Sequence, residues 1–194
     1  MNVLIIPEDF RKDQYLLQPI VAALLSHLGK PRAKVTVLKD PLLGGVARAL
    51  DFQQLKPIIE RYRGMVDVFL LCVDRDGEQS RRLRLGNLES QARAILPENR
   101  IFLAENAWQE LEVWALAGLD LPKEWAWRDI RAERDPKERY FKPIAERRGL
   151  LDEPGEGRRT LGIEAAKRYA KIRQRCPEDI QALEGRIETA CASR

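Results

Sequence analysis

An α/β fold is what the sequence predicts: a mostly parallel four-stranded sheet flanked by helices, with a C-terminal helical extension. Three observations predict it. Short aliphatic runs alternate with segments of helical periodicity as far as residue 120. The runs are continuously apolar rather than alternating, which marks strands covered on both faces. Beyond Pro122 aliphatic residues thin out, and a stretch rich in Gly, Pro and charge (Leu151 to Arg159) separates short helical patterns. Residues 1–122 are therefore assigned to the α/β domain. Residues 123–194 are assigned to a basic helical extension, too poor in aliphatic residues for a core of its own and packed on the sheet.

The elements follow in order. Val3-Leu4-Ile5-Ile6 is the first strand, and it runs into Glu8 and Asp9. Leu16, Leu17, Ile20, Val21, Leu24 and Leu25 repeat at helical spacing until Gly29-Lys30-Pro31 stops them. Lys34 to Leu38 is a second strand. Asp51 with Gln54 opens a helix carrying Leu55, Ile58 and Ile59, closed by Gly64. The third strand, Val66 to Val73, delivers the turn Asp74-Arg75-Asp76-Gly77. A helix with Leu85, Leu88 and Ala92 on one face ends near Pro97, and Arg100 to Ala104 is the fourth strand, ended by Glu105. Asn106 caps the next helix, with Trp108, Leu111 and Trp114. Asp135-Pro136-Lys137 and Thr160 read as further helix starts, and Pro177 begins the last helix.

Composition excludes several classes. Hydrophobic residues make up 44% and charged residues 33% of the 194, the balance of a globular chain with a charged surface. No apolar stretch reaches the roughly 20 residues of a membrane span, and no leader precedes the first strand, so a cytoplasmic location is expected. Cys72, Cys176 and Cys191 lack metal-finger spacing, and Cys72 lies within a strand, where a packed thiol is expected. His27, the single histidine, sits late in a helix, which argues against histidine-dependent chemistry. Gly44-Gly45 lacks the following Lys-Ser/Thr of a P-loop. Residues 1–122 carry 16 Lys+Arg against 16 Asp+Glu, and the remainder 18 against 14, so the net charge of +4 comes from the C-terminal third. A basic arm beside a neutral domain suits a polyanionic partner.

Carboxylates just past the ends of buried parallel strands fall where open α/β sheets keep their ligand sites. Several acids placed together repel unless a proton or cation compensates them, and all-oxygen ligand sets suit Mg²⁺ or Mn²⁺. A strand-end Glu8, a strand-end Asp74-x-Asp76 and a further acid after the next strand resemble the Toprim arrangement of topoisomerases, primases and overcoming-lysogenization-defect nucleases. More narrowly, the chain resembles a family of small bacterial Toprim-like proteins of unknown function whose members appear near phage-defence genes. That likeness rests on Trp108-Gln109-Glu110-Leu111-Glu112-Val113-Trp114-Ala115-Leu116-Ala117, on Asp135-Pro136-Lys137, and on Ile172-Arg173-Gln174-Arg175-Cys176-Pro177.

The resemblance implies a Toprim-like sheet and a Mg²⁺- or Mn²⁺-dependent nuclease. It implies Glu8 as catalytic acid/base or ligand, Asp74 and Asp76 as the metal pair, and Glu105 or Glu110 as acid for a second metal. Lys137 or an arginine of the basic arm would hold the scissile phosphate. Arg158, Arg159, Lys167 and Arg168 are the arm residues assigned to nucleic acid. The chain departs from Toprim sequences in carrying Asp9-Phe10 directly after Glu8, where glycine is common, and its next acid is Asp13. Glu112, two residues from Glu110 on an expected helix, is read as solvated or paired with a surface base. Arg75 is read as an internal partner of its flanking aspartates, and Trp108 and Trp114 as packing residues. Trp125 and Trp127 alternate, leaving one for a partner surface.

A rival reading keeps the fold and drops the chemistry. It makes the chain a partner-binding or nucleotide-sensing subunit, docked through its Trp-rich segment to another protein such as an ATPase encoded alongside. A third reading is phosphoryl transfer on a small phosphate ester. The sequence is compatible with an oligomer.

Overall fold

The computed structural model describes residues 1–192. Strands β1 (Asn2–Pro7), β2 (Lys34–Val37), β3 (Val68–Asp74) and β4 (Ile101–Ala107) form an all-parallel sheet in the order β2-β1-β3-β4. β1 lies beside β3 with Ile5 opposite Leu70 and Pro7 opposite Cys72. From β1 the chain crosses to β2 on one side, then returns past β1 to add β3 and β4 on the other. The strand order therefore reverses between β1 and β3, and the crevice at their carboxyl ends is the topological switch point.

Alternate side chains of each strand serve two apolar layers. Val3, Ile5, Leu70 and Cys72 face α1 (Phe10–His27), α5 (Glu112–Gly118) and the C-terminal helices. Leu4, Ile6, Phe69 and Leu71 face α3 (Phe52–Tyr62) and α4 (Arg81–Arg93), with the short α2 (Val46–Ala49) at the rim. Burial on both faces is why these strands read as unbroken apolar runs.

The C-terminal segment contains α6 (Trp127–Ala132), a π-type turn Lys137–Phe141, α7 (Lys142–Arg147), α8 (Arg158–Ala166), α9 (Tyr169–Arg175), a second π-type turn Pro177–Gln181 and α10 (Ala182–Ala192). Phe141, Ile144, Leu161, Ile172, Ile180 and Leu183 join Leu16, Ile20 and Trp114 in one cluster. These helices complete the layer over α1 and α5. Asp179, buried, ties the layer together: its carboxylate accepts from the Trp108 backbone N–H (3.0 Å), the Trp114 indole (2.8 Å) and Arg131 (3.1 Å). Among the described residues no helix is long and apolar enough to cross a membrane.

Several local expectations are corrected. β4 continues two residues past Glu105, so Asn106 lies inside the strand and caps no helix. The following helix begins only at Glu112, because Gln109 turns the chain with φ 74°. Lys137 opens a π-type turn rather than an α-helix, closed by the Lys142 N–H on the Lys137 carbonyl. The helix expected from Thr160 starts at Arg158, directly after Gly157 in the left-handed region.

The close approach of α8 to its neighbours gives a stability prediction. A Cβ added at Gly162 would stand 2.5 Å from the Tyr15 carbonyl oxygen, a backbone atom that cannot swing away. Alanine's helix propensity favours the substitution by about 1 kcal/mol, but overpacking against backbone costs roughly 1–3 kcal/mol. Gly162→Ala should therefore lower the urea midpoint. Gly86→Ala on α4, where nothing lies within 4 Å, should raise it slightly.

Candidate functional site at the switch point

Glu8 follows β1 and Asp74 ends β3, and the fold brings them together at the switch point. The Glu8 carboxylate accepts the backbone N–H of Asp74 at 2.8 Å. Glu8's own carbonyl accepts the N–H groups of Gly44 (3.1 Å) and Gly45 (3.3 Å). Both glycines have positive φ, 69° and 125°, which is the backbone freedom that lets this loop curl over the β1 end.

Asp9 then caps α1, accepting the Arg11 N–H at 3.0 Å, while Asp13 reaches back to the Asp9 N–H at 3.1 Å. This reciprocal cap draws Asp13 into the site. Asp74 in turn accepts the Leu111 N–H at 2.8 Å. The segment before α5 is zipped to the Asp74–Gly77 turn by the Gln109 carbonyl, which takes the N–H of Arg75 at 2.7 Å, and by the Gln109 side chain, which takes that of Gly77 at 2.9 Å.

The acids are under-compensated. Burial pushes Glu8 up to about 7, partly offset by its bond to Asp74, with Asp13 and Asp76 adding repulsion and Arg81 relieving it. Burial likewise raises Asp13 to about 7, with Glu112 contributing. Asp74 is held well above the ordinary carboxylate range by burial first, then by Glu112, Glu8 and Asp13. Besides Arg81, a buried cation stands next to this group: Arg158 donates from Nε to Glu112 at 3.0 Å and also from Nη2.

Asp76, exposed and with φ 53°, sits at the outer edge with Arg81 Nη2 3.6 Å away. Among the described residues, Arg81 Nε is the buried side-chain donor left without a partner. No protein-family model, curated protein or solved structure matches this chain. The site therefore stands on its own geometry.

The remaining sequence assignments are distributed as follows. Glu105 does not reach the switch point. It lies within β4, where Arg186 (2.7 Å) and Arg82 (3.8 Å) pair with it, and burial holds it up to about 7 against those two cations. Glu110 stands at the rim, accepting the Lys137 N–H at 2.8 Å with Lys137 Nζ 3.6 Å away; burial raises its pKa and Lys137 counters. Burial works against the Lys137 charge, but Glu110, Glu112 and Glu138 keep it above its usual value.

Arg158 is buried against Glu112 and offers nothing to a nucleic acid. Arg168 binds Asp120 at 2.8 Å. Arg159 and Lys167 are exposed. Glu112 is not solvated: Glu110 precedes the helix, so helical spacing does not set the two acids apart, and Glu112 turns inward. Arg75 does not neutralise its aspartates but stacks 4.0 Å over the Trp108 ring, and Arg81 takes the aspartate role.

Sequence reasoning did not assign Asp13, Glu112 and Arg81 to the site. For Asp13 the signal was available, as the acid four residues after the Asp9 cap.

The donor set is all oxygen and carries more negative charge than its neighbours cancel, while the orphaned Arg81 donor beside it suits an anion. The first two features fit a hard divalent cation. Among the described residues no three acids, histidines or cysteines close on one point as a ready cage. Mg²⁺ bound through one or two carboxylates, keeping several waters, needs no such cage.

Proposed function

We propose that this chain is a Mg²⁺- or Mn²⁺-dependent nuclease of Toprim-like type. The observation that supports it most is the repulsive acid cluster of Glu8, Asp13, Asp74 and Asp76 at the sheet's switch point. Asp74 and Asp76 would hold the cation, water would fill its remaining positions, and the nearby charges of Glu8 and Asp13 would strengthen its binding. Bound there, a divalent cation supplies charge neutralisation for the acids and Lewis-acid polarisation of a phosphodiester.

The chain's own groups do the rest. Glu8, pushed up to about 7 without a cation, would be lowered by a cation bound beside it and would then serve as the neighbouring carboxylate that accepts a proton. Arg81 beside Asp76 and Lys137 beside Glu110 bring positive charge next to these acids, where they can face phosphate oxygens. A role in phage defence belongs to this reading through the family resemblance alone. The rival non-catalytic subunit would keep the fold and leave the acids protonated rather than metal-bound.

The deciding experiment is cleavage of single-stranded and plasmid substrates in Mg²⁺ or Mn²⁺. Wild-type protein should cut, EDTA should stop it, and Asp76→Asn, at an exposed position that folding does not need, should lower the rate at least about 100-fold, the scale on which lost metal-centred charge stabilisation acts. Absence of cutting in both cations, or cutting untouched by Asp76→Asn, would sink the proposal.

A further inference from the structure

Arg75 leads out of the acid cluster into a groove that the nuclease reading leaves unused. It stands between Asp74 and Asp76 in the chain, yet its guanidinium lies flat over Trp108. Trp108 forms one side of a solvent-open groove of about 830 Å³ whose other walls include Trp127, Arg128, Arg131 and Arg175.

The two indoles are held in place. Trp108's backbone is fixed to buried Asp179, and the Trp127 indole N–H donates to the Arg175 carbonyl at 3.0 Å. Arg175 lies 5.2 Å over the Trp127 ring and Arg131 5.1 Å from the Trp108 ring. Arg131 is already bound to Glu178 and Asp179. Arg75 has no carboxylate partner among the described residues, and Arg128 is 92% exposed beside Asp129 at 3.5 Å. The groove thus offers two anchored aromatic surfaces, both half-buried, with solvent-exposed Arg128 on its wall and Arg75 beside it on the Trp108 ring.

We infer that this groove binds single-stranded nucleic acid, with phosphates on Arg75 and Arg128 and an unpaired base against Trp127. Aromatic faces interleaved with cations along an open groove are how proteins hold a strand whose bases are unstacked; a duplex keeps its base faces covered. The alternation of cations with half-buried indole faces matches the phosphate and base repeat of a strand. Continuity through Arg75 places a strand lying in the groove with its next phosphate at Asp74 and Asp76. The inference rests on the nuclease reading for its substrate class and names the strand that would feed that site.

The test is binding of a fluorescently labelled short oligothymidylate to the full chain in EDTA at about 50 mM salt, where electrostatic contacts are strong. Wild-type protein should bind with quenching of its tryptophan fluorescence, and more tightly than it binds a duplex of equal length. Trp127→Leu should weaken binding roughly 5- to 100-fold. Arg128→Glu, at a solvent-exposed position that does not endanger folding, should weaken it roughly tenfold and flatten the salt dependence.

Failure of wild-type protein to bind, equal affinity for duplex, or unchanged affinity in folded Arg128→Glu would overturn the inference. The two readings separate cleanly. Binding lost in these variants without any metal-dependent cutting removes the nuclease and leaves the groove. Cutting with variant affinities unchanged removes the groove alone.

Discussion

Replacing Glu8 by Gln, or Asp74 by Asn, should make the cation-free protein more stable at pH 8 while abolishing its response to divalent cations. Both amides keep the acceptor that the native contacts use, the Glu8 oxygen on the Asp74 N–H and the Asp74 oxygen on the Leu111 N–H. What they remove is a charge that burial and neighbouring acids disfavour. Glu8 titrates near 7 in the fold against about 4.3 in an unfolded chain. Between those values the native state holds a proton that the unfolded state has released, so stability declines as pH rises through the window and levels off above it.

A displacement of that size corresponds to at most about 4 kcal/mol, and relaxation of the site would reduce it to roughly 1–3 kcal/mol. For a chain of this length each kcal/mol moves the midpoint by roughly 2–4 °C. Thermal melts at pH 8 in EDTA should place both variants several degrees above wild type, and at pH 5 the gap should narrow markedly. Added Mg²⁺ or Mn²⁺ should raise the wild-type midpoint with concentration and leave the variants where they were. A variant that melts below wild type at pH 8 would mean that the cluster is not repulsive and that the cation has nothing to relieve.

The fold was legible because its strongest signals are local. Val3 to Ile6 and Val68 to Val73 are continuous apolar runs because both faces of the sheet are covered, and α1 shows its buried stripe at every turn. The meeting of Glu8 and Asp74 was legible for the same reason: parallel strands at a switch point bring their carboxyl ends together. What stayed hidden depends on partners distant in sequence.

Glu112 and Arg158 are 46 residues apart, and nothing near either one announces the other. Asp179 holds Trp108 and Trp114 from 71 and 65 residues away. The cation beside Asp76 likewise comes from outside its own turn. Asp76 adopts a left-handed φ, Arg75 turns out toward Trp108, and Arg81 comes back from the first turn of α4 to meet the aspartate. Glu105 was misplaced by strand length alone: two more residues of β4 leave it mid-strand under Arg186.

Arg158→Met should be the most damaging substitution in the chain outside the apolar core. Its guanidinium grips Glu112, bonds the Gly155 carbonyl at 2.9 Å and lies 5.5 Å over the Phe141 ring, all in the interior. Removing one member of a buried pair leaves the other charged and unsolvated, at a cost of about 3–5 kcal/mol. Here the orphan would be Glu112, which already raises Asp13 and Asp74. The midpoint at pH 8 should fall by roughly 10 °C or more, and less at pH 5, where protons on Asp13 and Asp74 relieve the excess.

Glu112→Gln leaves Arg158 its contacts with Glu156 at 3.4 Å and with the Gly155 carbonyl, and the charge of Asp13 stands nearby, so its cost should be the smaller of the two. That asymmetry separates a site carrying surplus negative charge from an ordinary buried ion pair, in which either deletion would cost about the same. Combining Arg158→Met with Glu112→Gln should recover part of the loss. If both single variants melted within a degree of wild type at pH 8, the interior charge balance assigned to this site would be wrong, and with it the reason for a cation to bind there.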